Sequence, residues 1–371
     1  MTTFLEQLSA YTRVVIDAGD MRAVASFQPP EVILSPALVT ATLPMPQYQT
    51  LITNALAQYP NALDRALQAV MVGMVQEIMK LTPGRVAVDV DARLAQDQQA
   101  IITYGEQFME GLGGAGVDVT RVGLRIPATW AGIRAGEVLQ RSGIPCHASL
   151  VFGLHQALGC ATAGFAVIST LVGRILDWYK RHSNEERDLG VQVVTNFYNH
   201  FRKFNYPTQI MGSGFRNVGQ VLALAGCDFL LVSPGLWSDL HQSHGRLVRQ
   251  LTPQSAQSAN LHPIVVDQTT FATLHQADQM AREKLEEGLR GYSRSMDNLT
   301  SLLAKRLQQI NSGSSLSQAA HMIFQTYDSD GDGYVTREEW LGSDAVFDAM
   351  DVDRDGKITP DEILIGLGVY L

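Results

Sequence analysis

VGLRIPATWAGIRAGEVLQRSGIPCHASLVF, residues 122–152, decides the fold. Its ends, VGLRIPA (122–128) and PCHASLVF (145–152), are short apolar runs of strand length. Between them, AGIRAGEVLQRSG carries apolar residues at helical spacing and stops at a glycine. Strand, helix and strand within ~30 residues make a βαβ unit, whose two strands lie parallel. The alternation extends in both directions. TRVVIDAG (12–19), EVILSP (31–36) and RVAVDVD (85–91) precede this unit, and FAVISTLV (165–172), TQIMGSGF (208–215) and CDFLLVSP (227–234) follow it. Eight such strands predict an α/β protein built as a parallel (β/α)8 TIM barrel, with a doubly wound sheet as the rival. Each strand closes on a polar residue: Asp17, Ser35, Asp89 with Asp91, Arg125, Ser149, Ser169, Ser213 and Ser233. A barrel gathers those ends at one mouth, where active sites are built; an open sheet does not.

The chain has 371 residues, 46% of them hydrophobic and 18% charged, enough for one large core and a small second domain. No apolar run approaches the roughly 18 residues of a membrane span, and MTTFLEQLSA lacks the basic start and apolar middle of a signal peptide. The expected address is cytoplasmic, with no membrane partner. Cys146, Cys160 and Cys227 are too few and too scattered for a disulfide framework or a zinc site, and read as small buried thiols. The net charge of −9 is localised: residues 315–371 hold 12 acids and 3 bases, whereas residues 1–314 hold 25 of each. The balanced part offers no basic field for nucleic acid. An amphipathic helical stretch over 262–310 is expected to pack on the barrel, closing a first domain over 1–310. NSGSSLSQ (311–318) has the composition of a linker, and 319–371 would form a small all-α domain.

That acidic segment contains DSDGDGYVTREE (328–339) and DVDRDGKITPDE (351–362). Asp328, Asp330, Asp332 and Glu339, then Asp351, Asp353, Asp355 and Glu362, fall at loop positions 1, 3, 5 and 12, with glycine at 6. Ca2+ takes roughly 6–8 oxygen ligands at about 2.3–2.6 Å, and this spacing supplies carboxylates plus the backbone carbonyls of Tyr334 and Lys357. Two complete copies resemble an EF-hand pair and imply calcium as ligand; a merely solvated acidic tail is the plainer alternative. Val335 and Ile358 at position 8 are expected to join the loops through a short two-stranded contact. Phe324, Trp340, Phe347 and Ile363 would make the small core, and one shared helix would leave the first loop and enter the second.

In the barrel, VVIDAGD (14–20), GRVAVDVDARLAQD (84–97), RIPATWAGIRA (125–135), ISTLVGRILDWYK (168–180) and GSGFRNVGQVLALAGCD (212–228) resemble transaldolase, over about residues 4–310. The resemblance implies a class I aldolase barrel that moves a dihydroxyacetone unit between sugar phosphates through a lysine Schiff base, with no cofactor in the barrel. In the family this serves the pentose phosphate pathway, exchanging the unit between sedoheptulose 7-phosphate and glyceraldehyde 3-phosphate. Asp17 matches the family's proton-transfer aspartate, Arg174 and Arg216 match its phosphate-gripping arginines, and Ser169 matches a serine of its site. The other positions differ. Arg125 stands where the family has its lysine, and Asp89 where it has a glutamate that positions water. Ser35 and His147 replace asparagines that hold the substrate, Ser149 replaces a threonine, and Gly214 replaces a serine near the phosphate.

A Schiff base needs a neutral primary amine, and a guanidinium with a pKa above about 12 does not supply one. The six lysines, Lys80, Lys180, Lys203, Lys284, Lys305 and Lys357, fall in helices, linkers or the tail rather than at strand ends. Strand alternation turns Arg125 to the same interior as Asp89, so a buried ion pair is its expected role. Two functions compete: a transaldolase-type enzyme with aldol activity lost or strongly reduced, and a calcium-binding, sugar-phosphate-binding pseudoenzyme with a sensing role.

Overall fold

A computed structural model of the chain describes residues 2–17, 21–45, 48–183, 185, 187–340 and 344–366. Its eight strands are β1 Arg13–Ile16, β2 Glu31–Leu34, β3 Arg85–Asp89, β4 Val122–Pro127, β5 Cys146–Ser149, β6 Val167–Leu171, β7 Gln209–Ser213 and β8 Phe229–Val232. Each falls inside a stretch that its alternation marked as strand. All neighbours are parallel, in the order β1-β8-β7-β6-β5-β4-β3-β2. The order steps around without the reversal of a doubly wound sheet, and helices alternate with the strands, so the fold is a nearly closed TIM barrel. Among the described residues no ladder joins β1 to β2.

The barrel interior is divided between two kinds of packing. Val15, Val167, Met211, Phe229 and Leu231, with Ile33 beside them, form an apolar cluster drawn mainly from β1 and β6–β8. Strands β2–β5 instead send Glu31, Asp89, Arg125 and His147 into buried positions. Burying a lone charge costs several kcal/mol, roughly, so the fold tolerates this half only because the charges meet one another.

Residues 262–310 form two helices rather than one. Gln268–Ala277 is capped by Asp267, and a second helix, Gln279–Tyr327, begins where Asp278 Oδ1 accepts from the Ala281 amide at 2.9 Å. Met280, Ala281 and Leu285 of the second helix pack on Leu150, Phe152, Ile175 and Trp178. Residues 311–318, expected as a linker, continue this helix. A glycine and several serines cost a helix only about 0.5–1 kcal/mol each, too little to stop it between strong helix formers. The chain divides into two compact units, Met1–Thr300 and Ser301–Leu371.

In the second unit, Val335–Thr336 (β9) pairs antiparallel with Lys357–Ile358 (β10), and Val335 faces Ile358 as their shared loop position requires. Phe324, Val335, Phe347, Ile358 and Ile363 are buried together, with Trp340 partly buried against them. Between the loops, residues 337–339 form a turn and Asp344–Met350 a helix; residues 341–343, which the expected shared helix would include, lie outside the described set.

The helix Gln268–Ala277 rests on Leu154–Thr162 through two histidines, His155 Nε2 and His275 Nδ1, 2.9 Å apart. One ring must be neutral to accept. Burial, aided by His275, pushes His155 down to about 4, whereas an unfolded histidine titrates near 6.5. Between those values the unfolded chain binds a proton that the folded chain refuses, so stability falls as the pH falls, by up to about 3 kcal/mol. Urea unfolding is expected to show a loss of about 2 kcal/mol from pH 7 to pH 5 attributable to His155, and His155→Phe should flatten that slope.

Candidate functional site

At the C-terminal end of the barrel the ladder registers set one level across three strands: Asp89 of β3 opposite Arg125 of β4, and Arg125 opposite His147 of β5. All three are buried. Neighbouring strands are about 4.8 Å apart, so inward side chains at one level must touch. Arg125 Nη1 lies 2.9 Å from Asp89 Oδ1, the pair expected from alternation. Its Nη2 donates to Ser169 Oγ at 3.4 Å, and that hydroxyl donates to the Ala148 carbonyl at 3.1 Å. Burial opposes the charge on Arg125, yet the Asp89 carboxylate holds it protonated. Burial pushes the Asp89 carboxyl up against the pull of Arg125. Both Asp89 oxygens and Ser149 Oγ lie buried with no aligned hydrogen-bond donor among the described residues, so they keep acceptor capacity for hydroxyl groups.

His147 is buried and paired across the interior. Its Nδ1 is 3.2 Å from Glu31 Oε1. Burial raises Glu31's carboxyl pKa, but the bond and charge of His147 outweigh it and leave the pKa lowered. Glu31 was missed in the sequence, although its place two residues before Ile33 and four before Ser35 on β2 points it inward. Ser35 is occupied locally too. Its Oγ accepts from the Leu38 amide at 3.2 Å and caps the helix Pro36–Thr42. Ser233 caps Pro234–Gln242 in the same way, and Asp91 is clasped by Arg93 at 2.6 Å. Polar strand ends are therefore divided between the mouth and the caps of the following helices.

Asp17 is exposed at the end of β1, within the electrostatic reach of Arg125. The two arginines expected to grip a phosphate differ. Arg216 is tied to Asp177 of the helix Val172–His182, with Nη2 at 2.5 Å. Arg174, on that same helix, has no hydrogen-bonded acceptor among the described residues; Tyr292 and the Glu287 carboxylate are within its field. Lys284 is buried, with its amine bonded to Glu287 at 2.5 Å. Tyr292, on the helix Gln279–Tyr327, lies within the electrostatic reach of Arg125, and nothing in that helix's amphipathic pattern marked it.

In the tail, the carboxylates of Asp328, Asp330 and Asp332 come within 4.8 Å of one another, as do those of Asp351, Asp353 and Asp355. Glu339 and Glu362 fold back over their loops, accepting from the amides of Ser329 at 3.0 Å and Val352 at 2.9 Å. Hydrogen bonds from Thr336, backbone first, hold Glu339 down at about 2, so it is charged at any physiological pH. Gly333 and Gly356 take φ of +89° and +85°, the left-handed turn that position 6 demands. The donor set fits calcium: hard carboxylate oxygens converging from positions 1, 3 and 5, with a glutamate at 12. The side chains at position 7 are not part of it, since Lys357 Nζ sits over the Tyr334 ring at 4.4 Å, which leaves their backbone carbonyls as the available donors.

Comparison with known proteins gives two family matches: "Transaldolase/Fructose-6-phosphate aldolase" over residues 14–303, and "EF hand" over 321–341 and 344–364. Proteins named transaldolase from Thermosynechococcus vestitus and Gloeobacter violaceus are each 43% identical to this chain, over 99% of it and 98% of their own length. A transaldolase from Trichormus variabilis is 40% identical over 82% of this chain and 97% of its own. Among the described residues no helix is long and apolar enough to cross a membrane.

Proposed function

Because the chain belongs to the transaldolase family, we propose that its barrel still binds sugar phosphates of that family's kind but has lost, or nearly lost, Schiff-base aldol transfer. The same reading gives the tail two calcium sites. The observation that carries it is the Arg125–Asp89 pair at the strand end where the family resemblance puts the reactive amine. A guanidinium cannot add to a ketose carbonyl and lose water to form an imine, because its lone pairs are delocalised and its proton is not released near neutral pH. No lysine stands beside it, and Lys284 is engaged by Glu287.

Binding is supported by what surrounds that pair. Arg174 offers a planar fork of donors without a hydrogen-bonded counter-ion, suited to a phosphate. Asp89 and Ser149 offer acceptors for sugar hydroxyls, with Ser169 and Asp17 at the rim. Arg216 joins the phosphate only by leaving Asp177, an exposed pair worth about 1 kcal/mol or less. Asp17 is the group placed to exchange a proton in the family reaction; without an imine it has nothing to assist.

Calorimetry on the native protein tests both parts. Fructose 6-phosphate is expected to bind and to be weakened by Arg174→Ala, while borohydride added to that complex leaves the protein mass unchanged. A sugar adduct on any lysine overturns the loss of aldol chemistry, and the absence of binding heat overturns the barrel's role. Calcium is expected to bind with heat that Asp328→Asn and Asp351→Asn together remove; unchanged heat in that double variant overturns the assignment of the loops.

A further inference from the structure

The opposite end of the barrel holds a second group of arginines. A cleft of about 480 Å³ lies beside the N-terminal ends of β1, β7 and β8, and among its lining residues Arg13, Arg202 and Arg249 stand against one acid, Asp228. Arg13 begins β1 and alternates with Val15 of the interior cluster; the register sets it opposite Phe229, whose ring centre is 5.1 Å from the guanidinium carbon. Arg202, in the last turn of the helix Leu189–Lys203, sits 4.9 Å from the ring of Tyr198 one turn earlier, and Arg249 sits 5.6 Å from the ring of Tyr11. Each cation is steadied by an aromatic ring, a contact that uses no hydrogen-bond acceptor.

The one acid is already spent. Asp228 Oδ1 accepts from Arg202 Nη2, and Oδ2 accepts from the Ile210 amide at 2.9 Å. Arg249 gives its Nε to the Leu251 carbonyl at 2.9 Å, and that loop lies so close to Gly226 that a Cβ there would collide with the same carbonyl oxygen. The Nη groups of Arg249 and every side-chain donor of Arg13 have no acceptor among the described residues. Two exposed forks of donors therefore remain, and three arginines less one aspartate leave the cleft an excess of two positive charges.

A planar fork of donors matches phosphate oxygens in pairs, so two free forks suit two phosphate groups, and the cleft has the size of a small-molecule site. Residues 1–314 carry 25 acids and 25 bases, so no extended basic field continues the cleft for a long polyanion such as nucleic acid. We propose that this cleft binds a small diphosphate anion, free or carried by a nucleoside, with Arg13 and Arg249 donating to its phosphate oxygens and Arg202 held beside them by Asp228. The site is independent of the sugar-phosphate site at the barrel mouth.

Calorimetry on the full chain in calcium-free buffer, with pyrophosphate and ADP as probes, tests this. Pyrophosphate is expected to bind the native protein and Arg174→Ala equally, and to be weakened about tenfold or more by Arg13→Gln with Arg249→Gln, which remove two charged hydrogen-bonding groups. Both side chains are exposed, so the urea midpoint should hold, and fructose 6-phosphate should bind the double variant as it binds the native chain. Arg249→Lys keeps the charge without the fork and is expected to retain part of the affinity. Should the double variant not melt cooperatively, Arg249→Gln alone, in an exposed loop, carries the same comparison. ADP binding as tightly as pyrophosphate, with the same loss in the variant, identifies the nucleoside-borne form; weaker binding identifies the free anion. No heat with either probe, or heat that the double variant leaves unchanged, overturns the site. Pyrophosphate binding that Arg174→Ala abolishes belongs to the mouth and overturns it as well, whereas a failure of fructose 6-phosphate alone to bind counts against the proposed function and not against this cleft.

Discussion

Replacing Arg125 with lysine is expected to let fructose 6-phosphate leave a borohydride-stable mass increase on the protein, where the native chain leaves none. A lysine at the end of β4 puts a primary amine beside Asp89 and Ser169, in the enclosed interior that Arg125 now fills. Burial favours the neutral amine that attacks a carbonyl, while the adjacent carboxylate favours the ammonium. The two effects oppose each other, so the adduct should form slowly and in part. Asp89→Glu added to Arg125→Lys restores the family's longer carboxylate and is expected to raise the yield. Peptide mapping after reduction should place the adduct at position 125. A lysine variant that binds the sugar phosphate as tightly as the native protein yet traps none would show that more than the amine has been lost. The contrast spans orders of magnitude, because a missing covalent nucleophile is not compensated by binding.

Arg125→Met is expected to destabilise the barrel by about 3–5 kcal/mol, read as a lower urea midpoint. The substitution preserves much of the side-chain volume and removes the charge, leaving the Asp89 carboxylate, 1% exposed, without its partner. The deficit should shrink as the pH falls, since a protonated Asp89 needs no counter-charge, and burial already pushes its carboxyl up. Arg125→Met combined with Asp89→Leu is expected to recover most of the loss, as apolar groups of similar volume replace a buried ion pair. A single variant as stable as the native protein at both pH 5 and pH 8 would mean that Asp89 is not held by Arg125. Together the two substitutions at 125 separate the chemical consequence of the guanidinium from its structural one.

Much of the candidate site was legible because strand alternation is a strict rule. It turned Asp89 and Arg125 to one interior, and the register brought them to 2.9 Å. The same rule does not reach the capping bonds of Ser35 and Ser233. A serine after a strand is also the residue before a helix, and which role it takes depends on whether its hydroxyl reaches the amide three residues on. The His147–Glu31 contact was not legible because Glu31 is on a strand far from it in sequence, and only the curvature of the sheet brings them together. Arg216 pairs with Asp177 on a neighbouring helix, a contact between two exposed side chains that no local pattern encodes.

The sequence by itself determined the barrel, the two EF-hand loops and the absence of an amine at the end of β4, because period-2 alternation, ligand spacing and residue identity are local properties. The tertiary structure alone decided that charges fill one half of the barrel interior, that residues 311–318 continue a helix, and that His147 meets Glu31. Those outcomes depend on which distant groups share a low-dielectric space, and that is fixed when the chain closes on itself.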